Sequence, residues 1–529
     1  MIFAVGGQYV GSPLKFLWEA SMAKLHVDPK YVNATINELI WGSFTEHLGR
    51  CIYGGLFQPD HKTADEKGLR QDVIDEINEL GISLVRYPGG NFVSNYNWKD
   101  GIGPKEDRPR RLEFAWATIE PNQFGIDEFI DWARKANVEP MIAVNLGTGT
   151  PKEAAELVEY CNHPGGTYWS DLRRKNGHEE PYGIKYWCLG NEMEGDWQAG
   201  HLSAENYADK ALEAAKMMRW VDRDIKLVAC GSSYHVLPEY LEWDRIVLNK
   251  LYSQIDYLST HFYASRGGSE ASEFIYAWHA LDEHLSNSEA VLDFVKGKRG
   301  ETKDIPVCLD EWNVWNFSDL KIDGPDDLLG ATELEVTSAE RWEEAPPILQ
   351  EKYTLLDALT FAGLGMTLIN HADRVEIACL AQLVNAIAPI TTSEEGGILR
   401  QAIWYPLREF TQRGRGEVLD YRLECTKVTV NEREIPTVYA AVVRNPETRE
   451  LTIFVLNANL DESVPLEIQV SGHDFKITGV RRLEGEKLNS VNTFENPNEI
   501  SMKEMGSRDQ SGVDLPPASF SVVTVGVAE

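Results

Sequence analysis

Two glutamates, each at the end of a short apolar run, are the strongest candidates for chemistry in this sequence. Glu192 closes the run 186–192, and Glu311 closes the run 305–311. Apolar runs of this length predict buried parallel strands, and such strands present functional side chains at their carboxyl ends. A carboxylic acid and a carboxylate on opposite sides of a glycosidic bond are what glycoside hydrolysis requires. The pair therefore predicts that reaction.

For this chemistry, one carboxyl group must stay protonated while the other is ionised. We expect the charge of Glu311 to raise the pKa of Glu192. Arg86 and Tyr263 end two other predicted strands and are placed to donate hydrogen bonds that keep Glu311 ionised. Each residue also has a purely structural interpretation. A glutamate at a strand end is often solvated or a capping residue, Arg86 is alternatively the partner of another acid in the barrel, and Tyr263 is alternatively a core residue. His261 is by default a satisfied core histidine.

Aromatic residues near these strand ends are either barrel core or platforms for sugar rings, and the sequence does not separate the two roles. They are Trp98, Trp187, Trp312 and Trp315. The spacings HxxxH, HExxH and CxxC are absent from the sequence, so we expect neither a metal ion nor another cofactor.

Strands and helices alternate along the first three quarters of the chain. Strands are predicted at 39–44, 82–87, 140–146, 225–230, 255–263 and 366–370, besides the runs that end in Glu192 and Glu311. Helices are predicted at 69–80, 126–136, 151–160, 203–220, 238–251, 271–295 and 349–364. Eight strands separated by helices predict an α/β fold of the (β/α)8, or TIM barrel, type. A doubly wound sheet is the alternative, but no glycine-rich turn follows the first strand.

The rest of the chain suggests further units. Residues 1–22 lack a clear period and are assigned to an N-terminal extension, while 23–38 alternate as a strand does. We place the barrel at 39–395 and a C-terminal, jelly-roll-like β-sandwich at 396–529, which the strand in 23–38 is expected to join. An acidic stretch, 317–345, is either a solvated loop or a lid or subunit contact.

The overall composition limits the classes of binding partner and the compartment that we expect for this protein. The 529 residues carry 83 acidic and 51 basic side chains, a net charge of -32, which disfavours nucleic acid and anionic membrane surfaces. Seven cysteines without paired spacing suit a reducing compartment. With no signal-peptide pattern and no membrane-length apolar run, we predict a cytoplasmic protein acting on a neutral or cationic substrate.

Six motifs together resemble glycoside hydrolase family 51, the α-L-arabinofuranosidases. They are GSFTEHLGR at 42–50, RYPGGNF at 86–92, GNEM at 190–193, HFY at 261–263, DEWNVW at 310–315 and AQLVN at 381–385. The resemblance runs from about Leu25 to the C-terminus and is strongest in the barrel. The N-terminal lead and the long acidic stretch after Trp315 depart from the family pattern.

The resemblance implies a retaining, exo-acting enzyme that removes terminal α-L-arabinofuranosyl groups from arabinan or arabinoxylan fragments. It implies that Glu192 is the acid/base and Glu311 the nucleophile. The residues it places around the bound arabinose are Glu46, Asn91, Asn191, Tyr263, Gln382 and Trp315, with Arg86 supporting the nucleophile. It also implies neutral arabinose-containing oligosaccharides as partners and a homo-oligomer, commonly a hexamer.

Two alternatives stay open at this point. A β-xylosidase or an endo-β-glucanase would use the same barrel and the same carboxyl pair on another sugar. A non-catalytic sugar-binding protein would keep the barrel as a relic, although a binding module needs no paired acid and nucleophile.

Overall fold

The computed structural model describes residues 22–316, 342–393, 396–507 and 511–527. Eight parallel strands close into a barrel, with sequence neighbours hydrogen-bonded around the ring and the eighth strand paired with both the seventh and the first. In chain order, the barrel strands are Gly42–Phe44, Leu84–Tyr87, Glu139–Ala143, Tyr186–Leu189, Lys226–Ala229, Tyr257–Ala264, Val307–Val314 and Val375–Ala381. The predicted (β/α)8 barrel is thus confirmed.

Helices follow the barrel strands and cover the outside of the barrel. They are Gln71–Leu80, Ile126–Lys135, Pro151–Asn162, Tyr168–Lys175, Ala204–Val221, Glu242–Leu251, Ala271–Phe274, Trp278–Arg299, Leu355–Asn370 and Trp404–Arg413. Local signals set several boundaries. Thr150 accepts a hydrogen bond from the backbone of Glu153 and caps a helix that begins with proline, while Gly81, at a φ of 80°, ends the first helix.

The prediction of the eighth strand at 366–370 was wrong. These residues form the end of the helix Leu355–Asn370, and the eighth strand is Val375–Ala381. The helix lies between the barrel and the C-terminal sheet, and all of its residues from Leu355 to Ile369 are buried. A helix buried on all sides shows no apolar period, so its last turn resembles a strand in sequence.

Two other boundaries also differ from the prediction. The first strand is shorter than 39–44, because Glu38–Trp41 forms a 3-10 helix capped by the Asn37 side chain. At the other end, the helix Trp404–Arg413 follows the eighth strand and packs against the helices Gln71–Leu80 and Leu355–Asn370. Barrel elements therefore continue past residue 395.

The C-terminal domain is mostly sheet. Its nine strands are Ala23–Thr35, Glu417–Glu424, Val438–Arg444, Leu451–Asn457, Val464–Val470, Phe475–Glu484, Ser501–Glu504, Gly512–Leu515 and Ser519–Val527. The strand Ala23–Thr35 pairs antiparallel with Glu417–Glu424 and parallel with Val464–Val470. Short two-stranded ribbons lie elsewhere, at Arg111–Glu113 with Thr118–Glu120, Ile390–Thr392 with Ile398–Arg400, and Lys427–Val430 with Arg433–Pro436.

The strand Val438–Arg444 shows how the sheet divides its two faces. Val438, Ala440 and Val442 point into the apolar core of the sheet domain. Tyr439 and Ala441, which alternate with them, join the apolar cluster of the barrel. Because successive side chains of a strand point to opposite faces, one strand contributes to both cores and joins the domains.

The sequence also raised questions about the cysteines, about membrane-spanning helices and about two irregular stretches. All seven cysteines are within the described residues and are free thiols. In that same part of the chain, no helix has both the length and the apolarity needed to cross a bilayer. Residues 1–21 of the predicted N-terminal extension and 317–341 of the acidic stretch lie outside the described residues.

Removing the Tyr439 ring should destabilise the protein. This ring stacks on Trp278 at a centroid distance of 3.8 Å, and its hydroxyl accepts a hydrogen bond from Asn370. We expect Tyr439→Ala to lower the free energy of unfolding by about 3–5 kcal/mol because a cavity opens between the domains. Tyr439→Phe keeps the stack and should cost about 1 kcal/mol.

Denaturant midpoints followed by circular dichroism measure this difference. Tyr31→Ala is the control because Tyr31 is 63% exposed, and its midpoint should stay within the error of the native protein. Equal losses for the alanine and phenylalanine variants would contradict the role of the stack.

Candidate active site

The two candidate catalytic glutamates lie at the same end of the barrel. Glu311 lies within the seventh strand and is buried. Glu192 follows the fourth strand after a turn in which Gly190 and Glu192 have φ values of 92° and 43°. A non-glycine residue rarely adopts this left-handed conformation, and here it accompanies a turn that brings Glu192 towards the barrel axis. One oxygen of Glu192 lies within 4.8 Å of one oxygen of Glu311.

Glu311 accepts a hydrogen bond at each of its oxygens. Arg86 Nη1 donates to Oε1 over 2.8 Å, and the Tyr263 hydroxyl donates to Oε2 over 2.9 Å. Two donors on different oxygens fix the orientation of the Glu311 side chain. Both donors that the sequence placed beside Glu311 therefore contact it.

Arg86 connects Glu311 to two further side chains. Its Nη2 donates to Asn191 Oδ1 over 2.5 Å, and its Nε lies 3.3 Å from an oxygen of Asp310. Burial opposes the charge of this fully enclosed guanidinium, but the charges of Asp310 and Glu311 outweigh burial and raise the pKa of Arg86. The cation is therefore permanent, and it orients Asn191 as well as the carboxylate.

Glu192 is paired with His261. His261 Nδ1 lies 2.8 Å from Glu192 Oε1, and Trp197 Nε1 donates to Oε2 over 2.7 Å. The second ring nitrogen of His261 lies 3.2 Å from Asp310. Burial disfavours the imidazolium, but the charge of Glu311 and the bonds with Asp310 and Glu192 raise the pKa of His261 well above its usual range.

The sequence-based expectation for the pKa of Glu192 is therefore reversed. Burial raises it, but the hydrogen bond and positive charge of His261 outweigh burial, so the pKa of Glu192 lies below its usual value. Both shifts favour an imidazolium at His261 beside an ionised Glu192. Strand periodicity marks His261 as buried but does not show which carboxyl group its ring contacts, so this pairing was missed.

The same cluster is where a metal ion would be sought. Glu192, His261 and Glu311 each offer a ligand-type atom, and these atoms lie within 4.8 Å of one another. However, both nitrogens of His261 face carboxylates, and an imidazolium that donates from both nitrogens has no lone pair for a metal. The donor set thus suits a shared proton better than an ion, and the absence of a metal or other cofactor stays a prediction.

Glu46 forms another wall of the site. Its Oε1 accepts the backbone N–H groups of Gly90 and Phe92 over 3.0 and 2.9 Å and the indole N–H of Trp116 over 3.3 Å. Its Oε2 accepts Gln382 Nε2 over 2.9 Å. Burial raises the pKa of Glu46 to about 7, so this carboxyl group changes its protonation near neutral pH.

Two adjacent glycines allow the backbone to pass close to these carboxyl groups. A Cβ at Gly90 would lie 2.8 Å from an oxygen of Glu311, and one at Gly89 would lie 2.7 Å from the side chain of Glu46. Neither glycine could be replaced without moving a site residue, because distances below 3.0 Å are not compatible with a carbon contact. Asn91 directly follows them and begins a 3-10 helix.

The remaining predicted residues separate into site and core. Trp315 packs edge-on against Tyr263, with ring centroids 5.4 Å apart, so it lies beside the carboxyl pair. Trp187 and Trp312 are buried in the core, and Trp98 packs against Trp169. Trp315 therefore contacts Tyr263, which in turn donates a hydrogen bond to Glu311.

Sequence reasoning missed Trp116 and Trp197, although each donates its indole N–H to a carboxyl group of the site. It also gave no role to Asp310, which contacts both Arg86 and His261. Both tryptophans lie in loops, where no periodicity marks them. Asp310 directly precedes Glu311 in a buried strand, so a charged residue at that position was the available signal.

Two family models match the chain. The α-L-arabinofuranosidase 1 domain matches residues 76–284, and the α-L-arabinofuranosidase C-terminal domain matches residues 310–519. Among curated proteins, the intracellular exo-α-(1→5)-L-arabinofuranosidase 1 of Bacillus subtilis is 44% identical, over 90% of this chain and 93% of that protein. An exo-α-(1→6)-L-arabinofuranosidase of Bifidobacterium longum is 38% identical, over 96% and 98%.

Solved structures agree with these matches. A family 51 α-L-arabinofuranosidase from Bifidobacterium longum superposes with a TM-score of 0.88 at 36% identity, covering 95% of this chain and 99% of the other. The arabinose complex of an α-L-arabinofuranosidase from Thermotoga maritima gives a TM-score of 0.82 at 34% identity, with the same coverage. This chain therefore belongs to glycoside hydrolase family 51, the family of the α-L-arabinofuranosidases.

Proposed function

We propose that this glycoside hydrolase removes terminal, non-reducing α-L-arabinofuranosyl residues from arabinan- or arabinoxylan-derived oligosaccharides, with retention of configuration. The observation that carries the proposal is the carboxyl pair, in which one oxygen of Glu192 lies within 4.8 Å of one oxygen of Glu311. Retaining glycosidases hold their two carboxyl groups about 5–5.5 Å apart, whereas inverting enzymes leave room for a water molecule between them. Membership of a family of hydrolases argues against a merely sugar-binding protein.

In the first step, Glu311 attacks the anomeric carbon while Glu192 protonates the departing oxygen. Glu311 is suited to this role because Arg86 and Tyr263 hold its two oxygens in place. The proton reaches Glu192 from His261 Nδ1, 2.8 Å away. As the leaving group departs, the glycosyl unit becomes covalently bound to Glu311.

In the second step, Glu192 acts as the base. It removes a proton from a water molecule, which attacks the same anomeric carbon and releases arabinose and the Glu311 carboxylate. Two displacements on one carbon restore its original configuration. His261 again takes up the proton, so the pair returns to its starting state.

The binding residues are assigned by their free or paired hydrogen-bonding groups. Asn191 accepts from Arg86 through Oδ1, and its Nδ2 has no partner among the described residues. We assign this N–H group to the sugar 2-hydroxyl, a contact that strengthens in the oxocarbenium-like transition state. Glu46 and Gln382, which share a hydrogen bond, are assigned to the arabinose by their positions in the family motifs, as are Asn91 and Trp315.

We also propose a cytoplasmic location and oligosaccharide substrates. Several relatives carry the word intracellular in their names, and seven free thiols suit a reducing compartment. The net charge of -32 fits neutral sugars and disfavours nucleic acid and anionic membranes. The homo-oligomer, commonly a hexamer in this family, stays a prediction.

A panel of chromogenic glycosides tests the reaction. We expect the purified protein to release nitrophenol from 4-nitrophenyl α-L-arabinofuranoside, and to leave the β-D-xyloside and the β-D-glucoside almost unchanged. Arabinobioses linked (1→5) and (1→6) belong to the same panel because relatives are named for each linkage. Activity on a pyranoside and none on the arabinofuranoside would be consistent with the proposed mechanism but would contradict the proposed sugar specificity.

Alanine variants of the two glutamates should separate their roles. Glu311→Ala should lower kcat by about 10⁴-fold or more on every substrate. Glu192→Ala should lower kcat/KM about 10²–10⁴-fold on arabino-oligosaccharides and far less on the nitrophenyl substrate, whose leaving group needs no proton. Added azide should then yield an arabinosyl azide of retained configuration with Glu192→Ala and of inverted configuration with Glu311→Ala.

Glu242→Ala is the matched control, because Glu242 forms a surface pair with Arg245 and its loss should leave all rates unchanged. Product configuration is read by nuclear magnetic resonance. If Glu192→Ala lowered kcat/KM by the same factor on arabino-oligosaccharides and on the nitrophenyl substrate, the role of Glu192 as the acid would be refuted.

Replacing His261 should move the alkaline limb of the kcat/KM profile to lower pH. The pKa of His261 is raised by Glu311, Asp310 and Glu192, and the pKa of Glu192 is lowered by His261. Two groups that share one proton bind it at least as tightly as either group alone. His261→Gln leaves the proton to Glu192 alone, so it should be lost at a lower pH than in the native enzyme.

His371→Gln is the control, because His371 also lies between two carboxylates, Asp282 and Glu289, but outside the barrel mouth. Its profile should match that of the native enzyme. An alkaline limb that stays in place, or moves to higher pH, with His261→Gln would show that the shared proton does not serve catalysis.

A further inference from the structure

The seventh barrel strand contains a β-bulge directly before Glu311. Cys308 is paired with Ser259 and Glu311 with His261 on the sixth strand, so three steps along the seventh strand correspond to two along its neighbour. The pairing with the eighth strand is irregular over the same stretch. A bulge inserts one extra residue and redirects the side chains around it, and bulges are frequent next to active sites.

The bulge directs two consecutive carboxyl groups towards the barrel axis. In a regular strand, successive side chains point to opposite faces, yet Asp310 and Glu311 both contact Arg86 inside the barrel. Trp312, the next residue, lies on the outside, where it stacks on Phe361 of a barrel helix with ring centroids 4.9 Å apart. The fold therefore places a second carboxyl group in its interior, beside the proposed nucleophile.

Asp310 is enclosed and ionised, and its partners belong to the site. Only 1% of its surface is exposed. Burial raises its pKa, but the charges of Arg86 and His261 and the hydrogen bond of Ser259 outweigh burial and lower the pKa to about 2. Its Oδ1 accepts the Ser259 hydroxyl and lies 3.2 Å from His261 Nε2, while its Oδ2 lies 3.3 Å from Arg86 Nε. A buried carboxylate needs such partners, because desolvation of an unpaired charge costs several kcal/mol.

The contact with Asp310 determines which nitrogen of His261 can release its proton. In a neutral imidazole one nitrogen carries the proton and the other has a lone pair, and the partners of the ring decide which. Nε2 faces Asp310, a carboxylate that stays ionised and accepts a hydrogen bond. Nδ1 faces Glu192 over 2.8 Å, and Glu192 must itself gain and lose a proton during the reaction. A neutral ring therefore keeps its proton on Nε2, and Nδ1 is the nitrogen that exchanges.

The other titratable groups around His261 and Asp310 do not compete for this proton. Burial raises the pKa of the nearby thiols and of the Tyr263 phenol, which therefore stay neutral, and it lowers the pKa of His284 to about 3. The thiols are those of Cys188, Cys230, Cys308 and Cys379. The carboxyl groups that face His261 are Glu192, Asp310 and Glu311, at 2.8, 3.2 and 3.7 Å, and Arg86 lies against the last two.

We propose that Asp310 is a positioning residue for the acid/base step, because it holds one proton on His261 Nε2 and leaves Nδ1 alone to exchange a proton with Glu192. The bulge and the Ser259 hydroxyl hold Asp310 in turn. During cleavage, a proton passes from Nδ1 of the imidazolium to Oε1 of Glu192, and the acid gives a proton to the departing oxygen, while the Nε2–H bond stays intact. This inference rests on the proposed function and adds a residue that touches neither the substrate nor the reacting atoms.

Asp310→Asn removes the charge and keeps the size of the side chain. We expect the alkaline limb of the kcat/KM profile to move to lower pH by about 1–3 pH units, because a neighbouring carboxylate shifts a pKa by about that amount. At neutral pH, kcat/KM on (1→5)-linked arabinotriose should fall roughly 10- to 100-fold further than on 4-nitrophenyl α-L-arabinofuranoside, whose leaving group needs no proton. Equal losses on both substrates, with the alkaline limb in place, would mean that Asp310 only compensates Arg86 and would overturn the inference.

Ser259→Ala is a milder variant, since it removes only the hydroxyl that donates to Asp310. It should change the limb and the substrate ratio in the same directions, with a loss of roughly 2- to 10-fold in the ratio, as expected for one hydrogen bond. Ser43→Ala is the matched control, because Ser43 is also buried in a barrel strand but its hydroxyl donates to the carbonyl of Leu380. Circular dichroism verifies the fold of each variant. A Ser259→Ala profile identical to that of Ser43→Ala would refute the part assigned to Ser259.

Nuclear magnetic resonance of histidine labelled at the ring nitrogens locates the proton without turnover. The His261 signals are those that disappear in His261→Gln. In the native protein, Nε2 should stay protonated while Nδ1 titrates, and in Asp310→Asn this titration should move to lower pH. Titration of Nε2 instead of Nδ1 in the native protein would overturn the inference. Inactivity on every arabinofuranoside, with His261 titrating as expected, would instead refute the proposed function and support the effect of Asp310 on His261.

Discussion

The buried guanidinium of Arg86 is the interaction on which the rest of the site depends. A charge with no exposed surface must be compensated by opposite charges close by, or its burial would cost several kcal/mol. Arg86 meets this requirement with Asp310 beside Nε and Glu311 beside Nη1, and its third nitrogen, Nη2, donates to Asn191. One cation therefore fixes the proposed nucleophile and the amide beside it in a single arrangement.

The walls of the site come from elements that are distant in sequence. Glu46 follows the first barrel strand and Gln382 follows the eighth, 336 positions later, yet they share a hydrogen bond because those strands are neighbours in the closed barrel. Gly89 and Gly90 add backbone to this wall where a side chain would collide with Glu46 or Glu311. Barrel closure thus brings the chemistry together, while loops such as the hairpin with Trp116 determine what fits beside it.

Sequence patterns were informative where a residue follows a regular strand. Glu192, Glu311, Arg86 and Tyr263 were all placed at strand ends by apolar runs, and the structure brings them together. Trp116 and Trp197 were missed because they lie in loops, where position depends on tertiary contacts rather than on a period. The eighth strand was misplaced for a related reason, since the helix Leu355–Asn370 is buried on all sides and shows no amphipathic pattern.

The position of one proton follows from the charges of the cluster. Asp310, Glu192 and Glu311 supply three carboxyl groups, and Arg86 compensates only one of them. When His261 is protonated, its two N–H groups donate separately, from Nδ1 to Glu192 and from Nε2 to Asp310, and its charge reduces the remaining repulsion. A proton on Glu192 instead leaves the imidazole neutral between carboxylates. A leaving-group oxygen that accepts a hydrogen bond from Glu192 favours the second arrangement. Substrate binding would therefore bring the acid into its reactive form, because the proton moves only when a basic oxygen is present to receive it.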